Sequence, residues 1–358
     1  MSRVIAISPY EDVDEVEALL KTIGINDIYL IPLKRRSIDN NYYLSRGKLS
    51  ELKELVSKYN VGKLYIYDEL KPRQIINLMK ELRIDVVDKI GLILEIFALH
   101  AGSKEAKLQI EMMRLMHELP LIKEWIRRAK LGELPGFLGP GGYATDAYYY
   151  SMKRRYSRIK RELIRLREHR RLERVKRSSY GYPQVAIAGY TNAGKTTLFN
   201  ILTNERKPVS NSMFTTLSPK AKGIIINGTK VIFVDTVGFI RKVPAEVIEA
   251  FYATLEEIVE SDLTILMIDS SEDVNVVIDK LRSSLNVLSR IGYMGKPLLV
   301  ALNKVDLVGR EISNKVEAVR KHLSFNYRWR WEVIPISALN GLNLDLLKEY
   351  VVKLLNGV

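Results

Sequence analysis

Eight consecutive residues have the types and the spacing that a phosphate-binding loop requires. The pattern G-x-x-x-x-G-K-[ST] is matched by Gly189-Tyr190-Thr191-Asn192-Ala193-Gly194-Lys195-Thr196, between an apolar run and a predicted helix. Its glycines let backbone amides surround the phosphates, Lys195 adds a positive charge, and the Thr196 hydroxyl is a hard ligand suited to Mg²⁺. The sequence therefore predicts a nucleotide-binding loop that also includes Thr197, which follows in the helix.

A second candidate segment ends another apolar run 40 residues after Lys195, and it reads Asp235-Thr236-Val237-Gly238. The carboxyl ends of parallel strands meet at one edge of a sheet, so Asp235 is expected to hold Mg²⁺ through water. The Gly238 amide is expected to approach the terminal phosphate. Alone, D-x-x-G is a common turn, and its position after the loop gives it most of its weight.

Two further segments predict a pocket for the base. Asn303-Lys304-Val305-Asp306 follows a buried apolar run, and Ser337-Ala338-Leu339 follows the last predicted strand. A carboxylate at Asp306 can accept two hydrogen bonds from guanine that adenine does not offer. The predicted nucleotide is therefore GTP or GDP, and the alternative is an ATP-binding protein in which these four residues occur by chance.

Composition excludes several classes of protein. The chain has 358 residues, 47% of them hydrophobic, and no cysteine, so disulfides, thiolate metal sites and cysteine nucleophiles are excluded. The four histidines show no metal-ligand spacing. No apolar run approaches the roughly 20 residues that cross a bilayer, and the N-terminus lacks the apolar core of a signal peptide. We expect a cytoplasmic protein of two or three domains, monomeric by default.

Positive charge is concentrated in one stretch. Residues 151–178 contain 13 Lys or Arg and three Glu, in a chain of net charge +14. Such a stretch indicates an anionic partner, and the alternative is a solvated helix face. The candidates for RNA contact are Lys153, Arg154, Arg155, Arg158, Arg165, Arg167, Arg170 and Arg171. Tyr148, Tyr149, Tyr150 and Tyr156 either stack on unpaired bases or pack beneath the helices.

The elements that must position these residues fall into three parts. Residues 1–100 alternate predicted strands and helices, which indicates a small parallel α/β layer. Residues 101–178 carry two heptad seams around a Gly/Pro-rich loop at 132–142 and predict an antiparallel helical hairpin, or else two ordinary amphipathic helices. Pro120 lies inside the first seam and is expected to kink or split that helix. A linker at 179–183 precedes a second β/α region, 184–358, with six predicted strands.

In this order the motifs resemble the signature of Ras-like, translation-factor-related GTPases, and two stretches narrow the resemblance to the HflX family. Asp235 to Pro244 is similar to the D-T-V-G-F-I-x-x-L-P run of that family. The switch I segment Phe214-Thr215-Thr216-Leu217-Ser218 is similar to its F-A-T-L-D. Upstream, Gly91–Phe97 and Ala101–Glu111 resemble its A-L-I-L-D-I-F and R-A-x-T-x-E-x-K-L-Q-V-E-L segments.

The resemblance implies a P-loop G domain with a six-stranded, mostly parallel mixed sheet, preceded by a small α/β domain and the hairpin. It also implies that Thr216 closes on Mg²⁺ and the terminal phosphate, so that Lys195, Thr216 and Gly238 are the expected catalytic groups. The implied partner is the large ribosomal subunit, with ribosome splitting or rescue under stress as the role. Two alternatives are a nucleotide-gated RNA-remodelling protein and a GTP switch that binds another protein.

The sequence departs from these patterns at three places. Phe239 stands where Ras-like enzymes have the glutamine that orients the attacking water, so slow intrinsic hydrolysis is expected. The loop Gly139 to Tyr150 keeps its glycines, but it lacks the Glu-Thr core and the paired arginines of the family. The chain also ends about 20 residues after Ser337, as expected for an archaeal-like form without a C-terminal extension.

Overall fold

The computed structural model describes residues 3–34, 38–133, 142–178, 181–205, 220–236, 238–239 and 252–357, but not the side chains of residues 142–145, 170–171, 173–178 and 252–254. The chain forms two units, Met1–Leu166 and Arg167–Val358. The boundary between them falls within one helix. The three-part division drawn from the sequence, at 100, 178 and 183, stays a prediction.

A four-stranded parallel sheet in the order β2-β1-β3-β4 begins the first unit. Its strands are β1 (Val4–Pro9), β2 (Ile28–Leu33), β3 (Lys63–Ile66) and β4 (Asp85–Asp88). Its helices are α1 (Val13–Thr22), α2 (Arg46–Tyr59), α3 (Pro72–Leu82) and α4 (Lys89–His100). Ile5, Ile7, Leu64 and Ile66 are buried at the centre of this layer, which confirms the predicted α/β region.

Two long helices follow, α5 (Lys104–Lys130) and α6 (Gly142–Ser178). Three ion pairs join them: Lys104 with Glu162, Arg155 with Glu111 and Lys130 with Asp146. Residue numbers rise along α5 as they fall along α6, so the helices run antiparallel. Their seam packs Leu115 and Ile122 of α5 against Met152 and Ile159 of α6. The predicted hairpin is confirmed.

Of the two expected effects of Pro120 on the first hairpin helix, the split is wrong, and the kink stays a prediction. α5 is one helix across Pro120, which lies on its exposed side. Proline removes one backbone donor, and on an exposed face the carbonyl that loses its partner remains accessible to solvent. Packing on both sides of Pro120 then keeps the helix continuous.

The second unit is built on a six-stranded sheet in the order β10-β9-β8-β5-β7-β6, in which the edge strand β6 is antiparallel to β7 and all other pairs are parallel. The strands are β5 (Gln184–Gly189), β6 (Lys220–Ile226), β7 (Thr229–Asp235), β8 (Leu263–Asp269), β9 (Leu298–Asn303) and β10 (Trp331–Pro335). The described helices are α7 (Lys195–Thr203), α8 (Tyr252–Glu260), α9 (Val274–Ile291), α10 (Ile312–Asn326) and α11 (Leu344–Asn356).

Buried clusters cover both faces of this sheet. One contains Ala186, Leu266 and Val300, and the other contains Val185, Ile265 and Leu299. Burial on both faces explains why the central strands read as continuous apolar runs. The predicted class is confirmed: an α/β fold with a mostly parallel, mixed six-stranded sheet. None of the helices within the described ranges is both long enough and apolar enough to span a membrane.

Candidate nucleotide-binding site

The predicted nucleotide-binding segments meet at the carboxyl edge of the six-stranded sheet. The loop from Gly189 to Thr196 follows β5, Asp235 ends β7, and Asn303 ends β9. The Ser337 loop follows β10. In open α/β sheets ligands bind at this edge, because helix N-termini and loops converge there.

Gly194 allows the phosphate loop to lie directly against the β9 segment. Its φ is +94°, and a Cβ added there would stand 2.2 Å from Nδ2 of Asn303. A side chain at residue 194 would therefore be strained by its backbone conformation and would also displace Asn303. Asn303 in turn donates from Nδ2 to the Ala193 carbonyl at 2.8 Å.

Lys195 is almost completely buried, and its Nζ donates to the Tyr190 carbonyl at 2.7 Å. Burial lowers the pKa of Lys195 to about 8, with the nearby carboxylate of Asp235 acting in the opposite direction. The amine is thus held inside the loop, in surroundings that disfavour its charge until an anion arrives.

Thr196 and Asp235 place two hard oxygen donors together. The Thr196 hydroxyl donates to Oδ2 of Asp235 at 3.2 Å, and Asp235 is fully buried. Thr236 fixes the strand end by donating to the Ile187 carbonyl at 2.8 Å. A hydroxyl and a carboxylate at this separation suit a hard divalent cation.

The main chain after Gly238 holds the phosphate loop in place. The Phe239 amide donates to the Gly189 carbonyl, and the Thr191 amide donates to the Phe239 carbonyl, both at 2.9 Å. The Phe239 ring is buried, edge-to-face with Tyr190 at a centroid distance of 6.5 Å. A Cβ at Gly238 would lie 2.8 Å from Cγ2 and 3.0 Å from the backbone Cα of Thr191, so a side chain at residue 238 would displace the phosphate loop.

Asn303 and Lys304 join the base segments to the rest of the site. Oδ1 of Asn303 accepts from the Ala338 amide at 2.9 Å. Lys304 has a left-handed backbone, with φ of +67°, and its Nζ lies 2.6 Å from Oδ2 of Asp269. Asp306 is exposed in the short 3-10 turn Val305–Leu307, so its carboxylate is accessible to a ligand.

The Ser337 loop is closed by its own hydrogen bonds. Ser337 and Leu342 exchange backbone hydrogen bonds of 3.2 and 3.1 Å, and the Ser337 hydroxyl accepts from the Asn340 amide. Ser337 and Ala338 are fully buried, whereas Leu339 is 76% exposed. The loop thus buries Ser337 and Ala338 beside Asn303 and leaves Leu339 exposed to solvent.

Asp269 is a site residue that the sequence analysis did not single out. It ends β8 opposite Asn303 in the sheet register. Burial raises the pKa of Asp269, but hydrogen bonds from Lys304 and Ser271 outweigh burial, so the pKa is lowered overall. An acidic residue at the end of an apolar run could have indicated that Asp269 lies at the edge of the sheet. The sequence does not show which strand ends are neighbours, so the pairing with Lys304 could not be predicted.

Comparisons with known proteins agree along the whole length of the chain. A family model described as "50S ribosome-binding GTPase" matches residues 184–304. Models described as "GTP-binding GTPase N-terminal" and "GTP-binding GTPase Middle Region" match residues 10–98 and 100–177. A "GTPase HflX" from Hyperthermus butylicus is 46% identical over 351 residues, which is 97% of this chain and 93% of the relative. One from Saccharolobus solfataricus is 43% identical over 95% of each chain.

This chain belongs to the HflX GTPase family. Solved structures agree with that assignment. A GTP-binding protein from the hyperthermophilic archaeon Sulfolobus solfataricus in complex with GDP is 37% identical, with a TM-score of 0.55, over 100% of this chain and 99% of that chain. A second structure, of SsGBP with GDP, is 36% identical with a TM-score of 0.57. The GTPase motifs of the sequence are therefore those of a recognised GTPase family.

Some predicted site residues lie outside the described part of the chain. These are Val237 and the whole switch I segment, Phe214, Thr215, Thr216, Leu217 and Ser218. Within the described residues no group of three or more His, Cys, Asp or Glu side chains is arranged to hold a metal.

The candidates for RNA contact divide into groups. Lys153, Arg154, Arg158 and Arg165 have exposed side chains. Arg155 and Arg167 are exposed too, but each is held in an ion pair. Arg155 pairs with Glu111, and Arg167 lies 3.2 Å from the buried Glu256 of α8. The side chains of Arg170 and Arg171 are not described. A ligand at Arg155 or Arg167 would compete with these internal ion pairs, which distinguishes both from the first group.

Proposed function

We propose that the chain binds GTP and GDP with Mg²⁺ at the carboxyl edge of the six-stranded sheet and hydrolyses GTP slowly. The observation that carries the proposal is the convergence of the phosphate loop, Asp235, Asn303 and the Ser337 loop at one edge. Backbone amides of the loop and Lys195 would bind the phosphates. An arriving phosphate would offset the burial that lowers the pKa of Lys195 to about 8.

Thr196 and Asp235 have the donor chemistry that Mg²⁺ requires. Their oxygens stand 3.2 Å apart, so the hydroxyl can bind the cation directly and the carboxylate through water, while phosphate oxygens supply further ligands. When bound, Mg²⁺ neutralises charge that develops on the phosphates. Thr216 is proposed as the switch I ligand, on the family resemblance alone.

Burial of Phe239 supports slow intrinsic turnover. Its ring packs against Tyr190 and carries no hydrogen-bonding atom. Catalysis of GTP hydrolysis depends on orienting a water in line with the terminal phosphate. The residue after Gly238 therefore supplies its main chain to the phosphate loop and nothing to the water, and a partner would have to complete the site.

The exposed carboxylate of Asp306 is proposed to select guanine. Replacing it in the variant Asp306→Asn removes an acceptor of two charge-assisted hydrogen bonds, so GDP affinity should fall roughly 100-fold while affinity for the xanthine nucleotide rises. Competition against a fluorescent GDP analogue measures both effects. Asp279→Asn, at an exposed carboxylate of α9, is the matched control. An unchanged affinity for GDP in Asp306→Asn would contradict the assignment.

The large ribosomal subunit is proposed as the partner, with splitting or rescue of ribosomes under stress as the role. Support comes from the matched family described as "50S ribosome-binding GTPase" and from the exposed cations on α6. Rows of Lys and Arg bind nucleic-acid phosphates and release counterions, which makes such binding dependent on salt. An RNA target other than the ribosome and a protein partner remain the competing assignments.

Charge reversal on α6 tests this partner. The triple variant Lys153→Glu, Arg154→Glu, Arg158→Glu should co-sediment less with purified large subunits, and the log–log salt slope should fall by roughly one unit per lost phosphate contact. The matched control, Arg290→Glu, Arg320→Glu, Lys321→Glu, changes the same charge at exposed positions of the second unit. Equal loss in both variants would contradict a specific role of α6. If ribonuclease treatment that removes only free RNA from the sample abolishes binding by wild type, an RNA target other than the ribosome would be favoured.

A further inference from the structure

A groove between α4, α5 and α6 has the size of a small-ligand site. It encloses about 500 Å³ within the first unit, and ligand pockets of proteins typically measure several hundred Å³. Its apolar floor is formed by Ile110 and Leu115 of α5 and Met152 of α6, all at least nine-tenths buried. We call this cavity the hairpin groove.

One wall of the hairpin groove is an aromatic ring. Tyr148 lines it and is 39% exposed. A partly exposed tyrosine above an apolar floor favours a flat, unsaturated group, because such a group can stack on the ring and cover the floor together.

The hairpin groove carries three cations and two carboxylates, a small positive excess. Lys107, Arg114 and Arg155 line it together with Glu111 and Glu118. The Glu111 carboxylate pairs with Arg155. Burial raises the pKa of Glu118, although Arg114, His117 and Arg155 act against it. The rim therefore suits an anionic group, and Glu118 offers a half-buried carboxyl to a polar ligand edge.

A second groove, of about 890 Å³, adjoins the first along α6. It is lined by Tyr150, Lys153, Arg154, Arg158 and Arg161, and it shares Ser151 and Arg155 with the hairpin groove. Tyr150 is 59% exposed. Cations spaced along a helix can follow a chain of phosphates, whereas the hairpin groove offers a single flat apolar site beside that chain.

We infer that the hairpin groove binds one unstacked nucleotide of single-stranded RNA. Its base would stack on Tyr148 over Met152, and the neighbouring phosphates would lie toward Arg114 and the cations of α6. The inference rests on the proposed contact between α6 and RNA, and it adds that the contact reads an unpaired base. An acidic peptide would satisfy the cations but would leave the ring and the apolar floor without a matching group.

The test uses the full chain with GDP and Mg²⁺ present, so that the P-loop site is filled. A single-stranded octaribonucleotide containing 2-aminopurine is titrated, and a blunt RNA duplex of the same length serves as comparison. We expect quenching of 2-aminopurine by wild type. Tyr148→Ala should lower affinity for the single strand about tenfold and leave the duplex unaffected. Tyr148→Phe should retain binding, and Tyr10→Ala, at another exposed tyrosine, is the matched control.

The outcomes separate this inference from the proposed function. Equal binding of single strand and duplex, with no effect of Tyr148→Ala, would overturn the nucleotide site and leave RNA contact by α6 intact. Failure of wild type to bind either RNA would overturn both. Competition by free adenosine monophosphate as effective as that of the oligonucleotide would assign the groove to a free nucleotide. Displacement of the RNA by polyglutamate from wild type and Tyr148→Ala alike would assign it to an acidic chain.

Discussion

Asn303 uses both ends of its side-chain amide. Nδ2 donates to the Ala193 carbonyl, and Oδ1 accepts from the Ala338 amide. One side chain thus connects the phosphate loop with the loop proposed to close over the base. The N-K-x-D spacing predicts Asn303 in the base pocket, and its two hydrogen bonds also hold the two loops together.

Phe239 shows what spacing alone could not reveal. The sequence predicted a missing hydrogen-bonding group after Gly238, and that absence is plain from the residue type. Its backbone pairing with Gly189 and Thr191 depends on the order of strands in the sheet. No local pattern carries that order, so the structural role of Phe239 could not be predicted from the sequence.

The ion pair between Asp269 and Lys304 is expected to position Lys304 beside the base. Asp269→Asn should weaken GDP binding about three- to tenfold, because Lys304 loses its charged partner. A double-mutant cycle with Lys304→Met, measured by displacement of a fluorescent GDP analogue, tests the coupling. The double variant should lose less than the two single losses combined. Strict additivity would contradict a positioning role for Asp269.

The pH dependence of this pair has a definite sign. The pKa of Asp269 is lowered in the folded protein, so the pair contributes stability that is present above the unfolded value of about 3.9. That contribution is lost as pH falls through the lowered, folded value. GDP affinity that depends on this pair should therefore stay constant between about pH 5 and pH 7, below the pKa of about 8 of the phosphate-loop amine Lys195. Titration of a fluorescent GDP analogue at several pH values measures it, and a loss of affinity between pH 7 and pH 5 would contradict the assignment.

Among the elements, the six strands predicted for residues 184–358 agree in number with the six strands of the second sheet. Long apolar runs such as β8 and β9 are buried on both faces, and this is the pattern that sequence periodicity detects best. β4 carries no such pattern, because Asp85–Asp88 offers only Val86 and Val87 between two aspartates. Short strands of this kind depend on their neighbours for stability.

The tyrosines of α6 illustrate how a helix divides one residue type between two roles. Tyr149 and Tyr156 pack on the hairpin seam, whereas Tyr148 and Tyr150 are exposed and line the two grooves. The sequence left packing and base stacking open for all four. The side of α6 that packs against α5 decides between the two roles. The heptad spacing predicts which side Tyr156 lies on more clearly than it does for the three consecutive tyrosines.

In the whole molecule, the excess of positive charge and the residue type of Phe239 both indicate that the GTPase depends on a partner. The chain carries a net charge of +14, with its densest basic stretch on α6. Its nucleotide site has the groups to bind phosphates and Mg²⁺ but, among the described residues, Phe239 offers nothing to orient water. A GTPase of this composition is expected to bind an anionic assembly and to turn over GTP efficiently only there.

The dependence of catalysis on a partner is measured by GTP turnover of the full chain, with and without purified large ribosomal subunits at moderate salt. We predict slow turnover alone and a rise on the order of 100-fold at saturating subunits, as expected when a partner completes a GTPase site. Fast turnover without subunits would contradict the role assigned to Phe239. Unchanged turnover, in a sample where the protein co-sediments with the subunits, would contradict activation by the ribosome.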